Sequence, residues 1–97
     1  MANNVVYKSK RLVADGVVKG SRGLLHSVIV NPTGTVTAGV ITVYDNGSAA
    51  SGTIIFQSTI PTTTGPLSLV FDVQAKQGIY VDFDGTIANV AVTVNFL

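Results

Sequence analysis

An all-β domain is expected from this chain: a single antiparallel β-sandwich of about seven or eight strands, jelly-roll-like or immunoglobulin-like, over residues 1–97. Three observations lead there. No window of a dozen residues spaces its apolar side chains three and four apart without an intervening Gly, Pro or β-branched residue. Val and Ile together number 23 of the 97 residues, and β-branched side chains suit pleated surfaces. Short apolar runs recur between clusters of Gly, Pro, Asn and Asp, the punctuation of an antiparallel sandwich or barrel.

The elements follow in order. "KSKRLVADGVVKGSRG" (8–23) is rich in Gly and in basic residues, so residues 1–22 are expected to form an N-terminal arm or an edge strand. "GLLHSVIVN" (23–31) puts Leu24, His26, Val28 and Val30 on one face, with Leu25, Ser27 and Ile29 on the other. "NPTGT" (31–35) reads as a tight loop. "VTAGVITVYD" (36–45) is apolar on both faces, through Val40, Ile41, Val43 and Tyr44, so it is either central or against a neighbouring subunit. "YDNGSAASGT" (44–53) reads as an Asn-Gly turn followed by a short Ser-led helical turn.

In "TIIFQSTI" (53–60), Ile54, Phe56 and Ile60 share a face opposite Thr53, Gln57 and Thr59. "PTTTGP" (61–66) is a rigid polar loop. "LSLVFDVQ" (67–74) points Leu67, Leu69, Phe71 and Val73 one way and Ser68, Asp72 and Gln74 the other, with Val70 as the exception. "NVAVTVNF" (89–96) sets Val90, Val92, Val94 and Phe96 against Asn89, Ala91, Thr93 and Asn95. Such alternation means one buried and one wetter face. Before it, Asp84-Gly85 fits a two-residue type I′ turn that pairs Phe83 with Thr86, Val81 with Ala88 and Ile79 with Val90 as a last hairpin.

Composition bounds the function. Only six basic and five acidic residues are present, none of them Glu, against roughly a quarter charged residues in an average soluble domain. So few charges leave apolar surface to cover, which points to assembly with other subunits. With no cysteine, neither disulfides nor thiolate metal sites supplement the small core. Met1-Ala2-Asn3-Asn4 has no basic leader region, and no apolar run reaches the roughly 18 residues of a membrane span, so a cytosolic product with no membrane partner is expected.

Charge is placed unevenly. Lys8, Lys10, Arg11, Lys19 and Arg22 against Asp15 leave the first 22 residues at +4, while Lys76 against Asp45, Asp72, Asp82 and Asp84 leaves the rest at −3. These five cations are the candidate contact residues, for an acidic protein surface. Nucleic acid is not expected, because Tyr7 is the only aromatic among them.

Motifs that could carry chemistry fail on context. Asp82-Phe83-Asp84-Gly85-Thr86 resembles the first motif of the haloacid dehalogenase-like phosphatases, in which the first aspartate is the nucleophile and the second the acid/base. That chemistry needs a downstream Ser/Thr, Lys and further carboxylates, and the 11 residues after Thr86 hold no charged group. A calcium loop of the EF-hand type needs a closing Glu, absent here. His26 is the only histidine, too few for a zinc site, and sits on an apolar strand as a core or interface residue would. "KGS" (19–21) has the wrong order and no following helix for a phosphate loop. No catalytic, cofactor-binding or metal-binding residue is assigned, and no cofactor or enzymatic activity is expected.

Taken whole, "SRGLLHSVIVNPTGTVTAGVITVYDNGSAASGTIIF" followed by "GIYVDFDGTIANVAVTV" resembles short all-β structural proteins of tailed bacteriophages. The similarity lies in the strand opening at Gly23-Leu24, the "YDN…ASGT" connection and the "G-x-Tyr-Val-x-Phe" segment, within residues 16–97. It implies a non-enzymatic virion component, most of all a capsid decoration (cement) protein. Such a protein, often a trimer, clamps neighbouring copies of the major capsid protein on the head exterior after synthesis in the host cytoplasm. A tail or neck subunit is an alternative, as is a carbohydrate- or receptor-binding β-sandwich module. The module reading would call on Tyr44 or Tyr80, since Trp is absent.

Overall fold

A computed structural model describes residues 6–63 and 65–97. The reading of residues 1–4 lies outside the described residues, as does Thr64 within the 61–66 loop. Eight strands run in the order β1 (Lys8–Leu12), β2 (Gly16–Lys19), β3 (Gly23–Thr37), β4 (Gly39–Asp45), β5 (Thr53–Ile60), β6 (Leu67–Ala75), β7 (Ile79–Phe83) and β8 (Ala88–Phe96). They form two four-stranded antiparallel sheets, A with the order β1-β8-β3-β6 and B with the order β2-β7-β4-β5. Only β4 and β5 are neighbours both along the chain and in a sheet; every other connection crosses between sheets. This is the jelly-roll order rather than the immunoglobulin one.

Apolar side chains alternate inward from both sheets. Leu25, Val28, Val30, Val92 and Val94 of sheet A meet Ile41, Val43, Ile79 and Val81 of sheet B, all fully buried. At the β5–β6 edge the rings of Phe56 and Phe71 close the mouth of the sandwich, 5.0 Å apart and tilted by 54°. Among the described residues the buried polar ones are Ser27 and Thr42, each on the outer side of its sheet and each satisfied there, by Asn95 and by Gln57.

Several expectations are corrected. The β7–β8 hairpin does not form: β7 pairs with β2 and β4, while β8 pairs with β1 and β3. The Asp84 carbonyl does accept the Ile87 N–H at 2.9 Å, and the Asp84 amide donates to the Val40 carbonyl at 2.9 Å. That turn sends the chain across the core, so Val81 and Val90 come from opposite layers. Burying the apolar face of β8 between β1 and the 15-residue β3 outweighs the local Asp-Gly preference.

"NPTGT" is no separate loop; it lies within the 15-residue β3. There residues 33–36 bulge opposite Asn89, which adopts φ 61° and donates its amide to the Thr35 carbonyl at 2.6 Å. A bulge at His26 brings Leu25 rather than Leu24 into line with Val28 and Val30. A second, at Ile55, turns Ile54 outward to 48% exposure and packs Ile55 against the core. The Ser-led helical turn after Asn46 is also absent. Instead the Asn46 side-chain oxygen accepts the N–H groups of Ser48 and Ala49, at 2.9 and 3.0 Å.

The N-terminal segment is not a free arm over its described length. β1 is an edge of sheet A and β2 an edge of sheet B. The two-sided strand β4 is central in its sheet.

Candidate partner-contact surface

The five cations singled out from the sequence divide into two groups. Lys8, Lys10 and Arg11 lie on β1, opposite Phe96, Val94 and Thr93 of β8. Phe96 and Val94 enter the core, so Lys8 and Lys10 rise at the open mouth between the sheets, where charge guards an edge against further pairing. The Lys10 ammonium donates to the Val17 carbonyl of β2 at 2.7 Å and ties the two edge strands together. Arg11 projects on the outer face of sheet A.

Lys19 and Arg22 sit at one end of the sandwich. With Gly23, Leu24, Gln74 and Leu97 they line an open recess of about 520 Å³. With the Gln74 amide turned so that its oxygen faces the guanidinium, Arg22 Nε and Nη2 donate to it at 2.9 and 3.0 Å. The structure therefore joins Lys19 to Arg22, and Lys8 to Lys10, but does not gather all five into one patch.

The acidic and basic residues are used in opposite ways. Among the described residues no Lys or Arg forms an ion pair; the only pair of that geometry is His26–Asp72, at 2.6 Å. Every carboxylate is engaged within the fold. Asp15 accepts the Phe83 N–H at 2.6 Å, and Asp84 accepts the Thr86 N–H and hydroxyl at 2.9 and 3.0 Å. Asp45 accepts the N–H groups of Lys76, Gln77 and Gly78 at 3.0, 2.8 and 3.3 Å. The Gln77 bond above all holds the Asp45 carboxyl below the usual carboxylate range, with Lys76 and Gly78 adding to it. The bonds from Thr86, its backbone N–H first, do the same for Asp84. Asp82 is the opposite case. Burial pushes it up, and the charge and hydrogen bond of Asp15, then the charge of Asp84, push it further.

Asp82 lies beside Asp15, while Asp84 holds its own turn through Thr86. His26 stacks on Tyr7, with ring centroids 3.9 Å apart and planes 10° apart, while its Nδ1 meets Asp72. No hydroxyl nucleophile is hydrogen-bonded to it among the described residues. The roles of Asp15 and Asp45 are not signalled in the sequence, because their partners are backbone amides 68 and 31 to 33 positions away. No short motif signals such contacts.

The outsides of the two sheets also differ. Sheet A carries a self-satisfied ladder: Ser9 donates to the Asn95 oxygen at 2.6 Å, and the Asn95 amide donates to Ser27 at 2.8 Å. Sheet B carries tyrosines, with Tyr80 directly opposite Tyr44.

Fold and surface together define a small jelly-roll sandwich in which no Lys or Arg of the described residues is ion-paired, while each carboxylate accepts or shares a hydrogen bond within the fold. No protein-family model, curated protein or solved structure matches the chain.

Proposed function

We propose that the protein is a non-enzymatic virion structural protein, a capsid decoration (cement) protein that binds the phage head exterior as a homo-oligomer and bridges copies of the major capsid protein. The observation that carries this reading is the charge asymmetry: six cations without a carboxylate partner, beside five carboxylates spent within the fold. A surface so arranged favours an acidic partner; Lys8, Arg11 and Arg22 are exposed and Lys19 is half-buried at the recess where such a partner would dock. The jelly-roll order supports the reading, since viral shells use it widely. The exposed apolar groups Val13, Val70 and Val73 support burial against further subunits. Modest contacts repeated by each copy of an oligomer add by multivalency, so no single deep pocket is needed.

Cosedimentation with empty capsids tests this, alongside sedimentation velocity of the protein alone, where the resemblance favours a trimer. Reversing Lys8, Arg11, Lys19 and Arg22 to Glu abolishes capsid binding, while Lys76→Glu leaves it intact. Binding weakens steeply with salt, as exposed charge pairs do beyond about 8–10 Å screening lengths. A stable monomer that ignores capsids at low salt overturns the proposal.

A further inference from the structure

The register of sheet B lays two complete rows across its outer face. Val17, Tyr80, Tyr44 and Ile54 form one, drawn from β2, β7, β4 and β5 in that spatial order. Asp82, Thr42 and Gln57 form the next, and Asp15, one residue before β2, falls opposite Asp82 in the same register. Neighbouring strands lie about 4.8 Å apart, so each row runs roughly 14 Å. The first row joins two aliphatic side chains to two half-buried tyrosines, whose phenol groups show no hydrogen bond among the described residues. The second carries two carboxyls that press on one another, beside an amide that donates to the Thr42 hydroxyl at 3.0 Å.

The two rows set aromatic faces beside hydrogen-bond acceptors. Adjacent carboxyls can accept further donors, and beyond the Phe83 N–H and its contact with Asp82 the exposed Asp15 keeps acceptor lone pairs toward solvent. The tyrosine faces need a flat apolar surface that keeps polar groups at its rim. A phosphate backbone meets the carboxylates with the wrong charge, and a purely apolar partner leaves them unsatisfied. A saccharide offers hydroxyl donors at its edge and C–H groups on its ring faces.

We propose that the outer face of sheet B is a saccharide-binding surface for neutral hexopyranose chains, with Tyr80 and Tyr44 stacking on sugar rings and Asp15, Asp82 and Gln57 taking hydroxyls. This does not rest on capsid docking, which uses the β1 edge and the Lys19–Arg22 recess.

The test is an amide-resolved NMR titration of the intact protein with maltohexaose, laminarihexaose and mannohexaose. Saturable shifts are expected with at least one of them, centred on residues 17, 44, 54, 57, 80 and 82. Tyr80→Ala and Tyr44→Ala each weaken that binding about tenfold or more, the size of a hot-spot loss. Tyr80→Phe retains most of it, and Asp82→Asn weakens it. The wild-type shift map decides the matter even where an alanine variant fails to fold. Absence of a saturable shift with all three probes overturns the proposal, as do shifts that map to sheet A or the recess. A folded Tyr80→Ala/Tyr44→Ala double variant that binds like wild type does so too.

Discussion

Asp45 closes β4 and fastens the β6–β7 connection, so replacing it by Asn tests whether its charge holds that end of the sandwich. The carboxylate takes Gln77 and Gly78 on Oδ1 and Lys76 on Oδ2. An Asn side chain can keep Oδ1 in place, but its NH₂ then faces the Lys76 N–H, donor against donor. Hydrogen bonds to charged groups contribute about 1.5–3 kcal/mol each, and the half-exposed position lets water recover part of that. The expected loss is about 2 kcal/mol, a fall of about 8–16 °C in melting temperature for a domain this size. Calorimetry across pH adds a second readout. The Asp45 carboxyl lies below its ordinary 3.8, so its stabilisation is complete above pH 3.8 and fades as pH falls through the lowered value. Wild type and Asp45→Asn therefore converge at the acid end of the scan. A shift under about 2 °C at neutral pH, or a gap that persists undiminished into strong acid, refutes the reasoning.

Outcomes at four further positions follow from the same geometry. Gly78→Ala is expected to cost about 3 kcal/mol or more, because φ is +154° and a Cβ would meet Gly47 Cα at 2.5 Å and the Lys19 carbonyl at 2.6 Å. Gly85→Ala, with nothing within 4 Å, should change denaturant stability by less than about 0.5 kcal/mol. Asp82→Asn should stabilise at pH 7 by up to about 1 kcal/mol, the scale of like charges opposed across strands. The sign follows from the raised carboxyl: its protonated form suits the fold, so the native state gains below pH 3.8 and loses that gain as pH rises through the raised value. The advantage of Asn should thus vanish in melts at acid pH. Asp84→Asn should melt like wild type, since an amide oxygen can accept from Thr86, whereas Asp84→Ala should melt lower.

How much was legible depended on whether an element could be read from its own residues. Val90, Val92, Val94 and Phe96 are buried as their alternation requires, because β8 is regular along that stretch. Simple alternation places Leu24 and Ile54 on the wrong face, because single extra residues at His26 and Ile55 reverse it. Bulges are set by the partner strand, which a local pattern does not contain. The β7–β8 hairpin failed for the same reason: turn chemistry was visible, and sheet membership was not. The basic residues were legible as a cluster along the chain. Their split between the β1 edge and the Lys19–Arg22 recess depends on β1 and β2 joining different sheets.

The strand order also bears on how the molecule is made. β8 is the last of the eight strands to leave a ribosome, yet it lies in the middle of sheet A, between β1 and β3. Until residues 88–96 emerge, β1 has no partner and β3 has only β6 beside it. The nascent chain can form one local unit, the β4–β5 hairpin, while the apolar faces of Leu25, Val28 and Val30 wait uncovered. Closure of the core then comes as a single late event built from distant pairings, which is slow for chains of this topology. A stalled or shortened chain would display a long apolar strand with an open edge, the kind of surface that aggregates or engages chaperones.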